Sequence, residues 1–295
     1  GRGGWMRNLI TGAGGFAGRH LVAQLRAAGE EVFAAGHNTE ISLDFRVAEH
    51  VEELLAQLRP QRVYHLAGTS SVAEVARASD LGTDNILRPA ANLMASMQRQ
   101  VPTARLLLVS TCHVYGRPEE LPITEDHPLR PVDLYGSARA SVEYLVRDVL
   151  RRGLDVVIAR AFHHTGPGQD RRFALANWAA QAAEGSREIS VGDLSLRRDY
   201  CDVRDVVAGY HLLAAKGQRG EAYNLCSGEA RSLGALFEEL VGPEVRARRE
   251  EGRLRRGEVV ELRGDPGRAE ALGWKRQFSV AQTLADLRAS FRNGA

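Results

Sequence analysis

The sequence predicts an α/β fold: a doubly wound parallel sheet with helices on both faces, and a smaller C-terminal substrate lobe. Three observations carry that expectation. Six short apolar runs, read as strands, alternate with segments of helical period, and no internal repeat interrupts them. A glycine-rich turn, Thr11-Gly12-Ala13-Gly14-Gly15-Phe16-Ala17-Gly18, joins the first strand to the first helix. The length of 295 residues, 44% hydrophobic and 26% charged, suits one large α/β unit, alone or with a smaller partner lobe.

In chain order, Asn8-Leu9-Ile10 is the first strand. Phe16 to Ala28 follows with Phe16, His20, Leu21 and Leu25 at helical spacing, and Gly29 serves as C-cap. The glycines therefore lie where a strand turns into a helix, the context a dinucleotide fingerprint requires. Gly12 permits the tight turn, Gly15 lets a pyrophosphate approach the backbone, and Gly18 lets the helix pack on the strand; Gly14 reads as an extra. The helix start offers free N–H groups to phosphate. Glu31 to Ala35 is the second strand. It runs into Gly36-His37-Asn38 with no carboxylate before Glu40. A 2′-phosphate meets little repulsion there, and His37 with Asn38 can donate to it. NADP(H) is the expected cofactor and NAD(H) the alternative.

Val47 to Leu58 is an amphipathic helix. Arg62 to His65 is a strand that enters the small-residue turn Leu66-Ala67-Gly68, and His65 reads as a packed strand residue. Asp80 to Gln100 is a long helix in which Pro89 should cause a kink or mark a late start. Arg105 to Ser110 is a strand delivering Ser110-Thr111-Cys112-His113-Val114-Tyr115-Gly116. Asp133 to Arg152 is helical in pattern and holds Tyr135 and Arg139, one turn apart on one face. Asp155 to Ala161 is the next strand. Beyond Gly166 the pattern loosens. The expected partition is a dinucleotide-binding domain over 6–165, rejoined by 201–225, with a lobe over 166–200 and 226–292.

The formal net charge is +2, and the arginine run from Arg246 to Arg256 has no interleaved aromatics. Nucleic acid is not an expected partner; a solvated loop with one or two phosphate-binding arginines is. Cys112, Cys201 and Cys226 are odd in number and form no Cys-x-x-Cys, so neither a disulfide framework nor a metal site is expected, and a reducing cytoplasm fits. No apolar run is long enough to span a bilayer, so no membrane partner is expected.

The opening turn resembles TGxxGFxG of the nucleotide-sugar branch of the extended short-chain dehydrogenase/reductases. The resemblance extends from Met6 to about Phe291. It implies a Rossmann fold with the cofactor along Leu66, Ala67 and Gly68, adenine at Asp44, a structural asparagine at Asn85, and a homodimer through the helices around Asn85 and Tyr135. Ser110 to Gly116 is similar to SSxxVYG, which gives Thr111 a hydrogen bond to the reacting oxygen. Tyr135 matches the family's Tyr-x-x-x-Lys tyrosine, which exchanges the hydroxyl proton while hydride moves to or from nicotinamide. Arg139 replaces the lysine, keeping the charge but not the compact ammonium. Three readings follow, in order: a working but altered dehydrogenase, an enzyme that needs no strong phenolate, or a degenerate binding protein. His113 stands where the 4,6-dehydratases of the superfamily carry a glutamate base; it is either an acid–base group or a pocket-lining residue.

Later segments resemble a narrower family, the GDP-6-deoxy-4-keto-D-mannose reductases. Phe162 to Gln169 is similar to FNHxGPGQ with His163 in place of Asn, Arg198 to Asp205 to RDFTDVRD, and Arg255 to Val259 to RPxEV. This implies a substrate site containing His163, Arg198, Arg255 and Glu258, with Arg255 on the diphosphate. The implied activity is a nucleotide-sugar 4-ketoreductase using NADPH. A cofactor-recycling epimerase or dehydratase and a non-catalytic binder are the alternatives.

Overall fold

Twelve strands and eleven helices are present in the computed structural model, which describes residues 6–78, 80–253 and 257–292. The strands are β1 (Arg7–Thr11), β2 (Glu31–Ala35), β3 (Arg62–His65), β4 (Arg105–Thr111), β5 (Asp155–Ala161), β6 (His163–Thr165), β7 (Glu188–Val191), β8 (Arg197–Asp202), β9 (Ala222–Leu225), β10 (Ala230–Ser232), β11 (Arg246–Arg249) and β12 (Glu261–Leu262). The helices are α1 (Phe16–Ala27), α2 (Ala48–Leu58), α3 (Val72–Arg77), α4 (Asp80–Gly82), α5 (Arg88–Gln100), α6 (Leu134–Arg151), α7 (Ala174–Ala183), α8 (Val203–Lys216), α9 (Leu233–Val241), α10 (Gly267–Ala271) and α11 (Val280–Arg292).

Six strands form one sheet in the order β2-β1-β3-β4-β5-β9, every pair parallel. Such a sheet is buried on both faces, and the pleat sends alternate side chains to opposite sides. On β5, Val156 and Ile158 enter a core with α2, α5 and α6, while Val157 and Ala159 enter a second core with α1 and α8. The smaller lobe has its own core, in which Trp178 of α7 meets Phe237 of α9 edge to face at 5.2 Å. Among the described residues no helix is long and apolar enough to cross a membrane.

Two details bear on the sequence expectation. The helix from Asp80 widens into a π turn, Thr83–Leu87, and its regular α-helical part begins only at Arg88, with Pro89 in the first turn. Proline has no N–H for the carbonyl four residues back, and the Arg88 N–H reaches back to the Thr83 carbonyl instead. Arg246–Arg249, read as a solvated loop, is an exposed strand paired in parallel with β7. Backbone pairing needs no apolar face, and arginines on both sides keep this edge solvated. Arg255, the residue expected on the diphosphate, lies outside the described residues.

Candidate active site

β2 lies on one side of β1 and β3 on the other, so the order in which strands are added reverses at β1. Ligands of doubly wound sheets bind at this switch point, outside the carboxyl ends of the strands. A cavity of about 920 Å³ opens there. Its walls include Gly12, Gly15, Phe16 and Gly18, then His37, Asn38 and Asp44, and the turn Leu66, Ala67 and Gly68. Thr111, His113, Tyr135, Arg139 and His163 complete it.

The glycine turn is a cradle with little room for side chains. Gly12 has φ +70°, and a Cβ there would stand 2.7 Å from the Ala67 nitrogen; one on Gly18 would stand 2.2 Å from the Gly12 carbonyl oxygen. Gly14 is no mere extra, since its Cβ would stand 2.4 Å from the His37 carbonyl oxygen. It lets the end of β2 close on the turn. Gly15 is the N-cap of α1 and gives no side-chain cap, so the first N–H groups of the helix face the cavity unshielded. Arg19 donates to the carbonyls of Gly14 and Gly168, both at 3.0 Å, and the Phe16 ring stacks on His164 at 6.2 Å. These contacts tie the 166–169 loop to the turn.

This cradle fits a dinucleotide pyrophosphate. Gly15 has an extended backbone that valine adopts without strain, and its Cβ would meet only the Gly12 carbonyl oxygen, at 3.2 Å. Gly15→Val should therefore fold yet fill the approach to the helix start. We expect dinucleotide affinity to fall about a hundredfold, close to 2.7 kcal/mol. Fluorescence titration beside a thermal melt checks this; unchanged affinity in a folded variant would refute the cradle.

Beyond the end of β2, Arg46 holds the Asp44 carboxyl down to about 2, chiefly through its side-chain hydrogen bond. Glu40, the first carboxylate after β2, pairs with Arg26 of α1.

At the other end, α6 presents Tyr135 and Arg139 to the cavity. Asp133 caps this helix, its Oδ1 accepting the Gly136 N–H at 2.7 Å. The guanidinium of Arg139 lies over the Tyr135 ring at 5.5 Å. It donates to the carbonyls of Val109 (3.4 Å) and Thr69 (3.2 Å), which fixes a positive charge beside the phenol. Thr111 ends β4 and its Oγ1 accepts the His113 N–H at 3.3 Å, starting a 3-10 turn over Cys112–Tyr115. His113 contacts Asp133 Oδ2 through Nδ1 at 3.1 Å and meets Tyr135 edge to face at 5.6 Å. His163 lies between His113 and Tyr200, with ring centroids 5.7 and 5.4 Å away. Burial, reinforced by Arg198, holds His163 well below the usual imidazole range.

His65 is a packed residue. Thr11 Oγ1 accepts the Ala67 N–H and shares a hydrogen bond with His65 Nδ1 at 2.8 Å. Burial, with Arg139 adding, brings this imidazole down to about 3.

A buried polar network supports the Thr111 turn from below. Glu143 of α6 accepts from Ser110 Oγ at 2.5 Å and pairs with Arg160 of β5 at 2.8 Å. Arg160 donates to the Tyr115 hydroxyl at 2.9 Å, and that hydroxyl donates to Asn224 Oδ1 at 2.6 Å. Tyr115 is thus structural.

Arg198 and Glu258 pair with each other at 3.4 Å but do not line the cavity among the described residues. Arg198 donates to the carbonyls of Arg197 and Val260. The carboxylates of the same motif bind backbone: Asp199 accepts from the N–H groups of Ser227, Gly228 and Gly264, and Asp205 from those of Gln277 and Phe278. Sequence reasoning missed Asp133 and Glu143 as site residues. The helix-cap position of Asp133 was readable; the role of Glu143 depends on a partner 17 positions away.

The chain belongs to the NAD dependent epimerase/dehydratase family, whose pattern it matches over residues 8–226. Among curated proteins it is 31% identical to the GDP-6-deoxy-D-mannose reductase of Pseudomonas aeruginosa, an alignment covering 94% of each chain. The solved structure of RMD from Pseudomonas aeruginosa complexed with NADPH superposes with a TM-score of 0.89 at 30% identity, covering 98% of this chain and 100% of that one. The UDP-glucose 4-epimerase of Thermus thermophilus, complexed with NAD, superposes with a TM-score of 0.90 at 25% identity, covering 98% and 100%.

Proposed function

We propose that the chain is a nucleotide-sugar 4-ketoreductase that takes a GDP-linked 4-keto-6-deoxy sugar and uses NADPH. The observation that carries this reading is Tyr135 in the wall of the cavity beside the fixed charge of Arg139, with Thr111 in the same wall and no carboxylate at position 113. Similarity to GDP-6-deoxy-D-mannose reductase supports the substrate class. The glycine cradle and the start of α1 would hold the cofactor's pyrophosphate, and Asp44 its adenine. A bound nicotinamide supplies the hydride. Thr111 orients the keto oxygen, and Tyr135 passes its proton to that oxygen, so the developing alkoxide never stands alone. Arg139 stabilises the phenolate left behind. His163, in the cavity wall, belongs to the substrate side, and Arg255 would bind the diphosphate.

NADPH should bind at least about tenfold more tightly than NADH, a preference of about 1.4 kcal/mol. His37 and Asn38 line the end of β2, and the first carboxylate is turned to Arg26. The decisive experiment supplies GDP-4-keto-6-deoxy-D-mannose with each cofactor and follows NADPH consumption and product. Tighter NADH binding without net consumption would instead establish a cofactor-recycling epimerase, the activity named for the Thermus thermophilus neighbour. The reading includes a homodimer through the helices around Asn85 and Tyr135, where exposed Leu134, Tyr144 and Leu145 of α6 offer an apolar face. It also places the protein in the cytoplasm, which suits three free thiols.

A further inference from the structure

Tyr135 must regain a proton after each reduction, and Arg139 cannot return it. A guanidinium keeps its proton at every working pH, and this one is 6% exposed and donates to two backbone carbonyls. His65 and His163 are held neutral by burial, so neither carries a spare proton.

His113 is placed differently. Its ring meets Tyr135 edge to face, and its side chain is 24% exposed, open enough to exchange with water. Asp133 binds its Nδ1, which leaves Nε2 as the exchanging atom. The same carboxylate caps α6, so one side chain fixes both the imidazole and the start of the helix that carries Tyr135. The titratable and charged groups facing His113 are Asp133, the cap of α6, Tyr135 of α6 and His163 of β6, with Arg198 of β8 beyond His163.

We propose that His113, oriented by Asp133, is the proton-return residue for Tyr135. The proposal rests on the reductase reading. In the first step the Tyr135 O–H bond breaks and the new sugar O–H bond forms, leaving a phenolate. His113 Nε2–H then gives its proton to the phenolate, directly or through one water, and becomes neutral. Bulk solvent then returns one proton to Nε2, the proton that the reduction consumes overall. No further reductant is needed, because the nicotinamide hydride has already supplied the electron pair.

The first turnover starts with Tyr135 protonated and needs no return step. His113→Gln should therefore show a first turnover at the parent rate and a steady-state kcat roughly ten- to a hundredfold lower, with KM for the keto sugar falling alongside it so that kcat/KM holds. Added imidazole should restore the steady state. Asp133→Asn keeps an oxygen for the Gly136 N–H but disturbs the tautomer, and should show a weaker form of the same split. A first turnover slowed as much as the steady state, or an unchanged steady state, would overturn the proposal. Should the parent turn over no 4-keto sugar nucleotide at all, the reductase reading fails, and NMR titration of His113 in Tyr135→Phe still decides the contact. A shifted titration upholds the coupling of the two groups; an unchanged one overturns it.

Discussion

Tyr135→Phe should lower turnover by a factor of about 10²–10⁴ and leave both ligands bound as before. Only a hydroxyl is removed. The ring keeps its contacts with His113 and with the Arg139 guanidinium, so the fold and the cavity wall remain. On the proposed reading the chemical step should lose its proton donor, while cofactor binding, assigned to the glycine cradle at the other end, should not change. Stopped-flow turnover with equilibrium titration of cofactor and sugar nucleotide checks both halves. Arg139→Lys is the informative companion. It keeps a cation beside the phenol and gives up two donations to backbone carbonyls. A working reductase should tolerate it, whereas Arg139→Met should not be tolerated. If Tyr135→Phe reduces a 4-keto sugar nucleotide as fast as the parent, dehydrogenase chemistry is wrong. The tyrosine–arginine pair is then a relic in a binding protein, or a scaffold for acid–base work by His113.

Glu143→Ala should cost about 3–5 kcal/mol of stability, the range for breaking a buried ion pair from one side. Glu143 is 5% exposed and Arg160 7%. Arg160 keeps the Tyr115 hydroxyl and the Glu125 carbonyl as acceptors but loses its only carboxylate among the described residues. Ser110 loses its acceptor as well, directly beside Thr111. Activity should therefore fall more steeply with temperature than in the parent. Replacing both partners together, Glu143→Leu with Arg160→Met, should recover much of the loss, because no charge is then left alone. Urea unfolding of the single and double variants measures this; a single-variant loss below about 1 kcal/mol would show that the pair does not hold the turn.

What could be read from the chain was what depends on near neighbours. The strand–turn–helix around Gly12 to Gly18 and the four-residue spacing from Tyr135 to Arg139 are local facts, and the cavity is built from both. The sheet was legible because each parallel strand is a short apolar run. Pro89 announced an irregularity but not its form, since a π turn and a break both follow from the same missing N–H. Gly14 could not be separated from its neighbours, because the atom it makes room for is the carbonyl of His37, on another strand's end. Glu143 and Arg160 looked like ordinary charges on a helix and a strand; only folding brings them into one buried cluster. The segment from Arg198 to Asp205 drew attention as substrate-facing, yet Asp199 and Asp205 satisfy backbone N–H groups.

The first turn of α8 sets the mechanics of the molecule. Asp205 accepts from the backbone N–H groups of Gln277 and Phe278, and its own carbonyl accepts from Trp274 Nε1. Asp202 accepts from Thr283 Oγ1, and Arg204 pairs with Asp286 at 2.6 Å while lying 3.6 Å from the centre of the Phe278 ring. This end of α8 is rooted in the main sheet through α1, and α11 belongs to the smaller lobe. A hinge between the two bodies would have to strip these bonds together, and a hydrogen bond to a charged group is worth about 1.5–3 kcal/mol. Torque applied to the lobe is carried into the sheet as into a single casting.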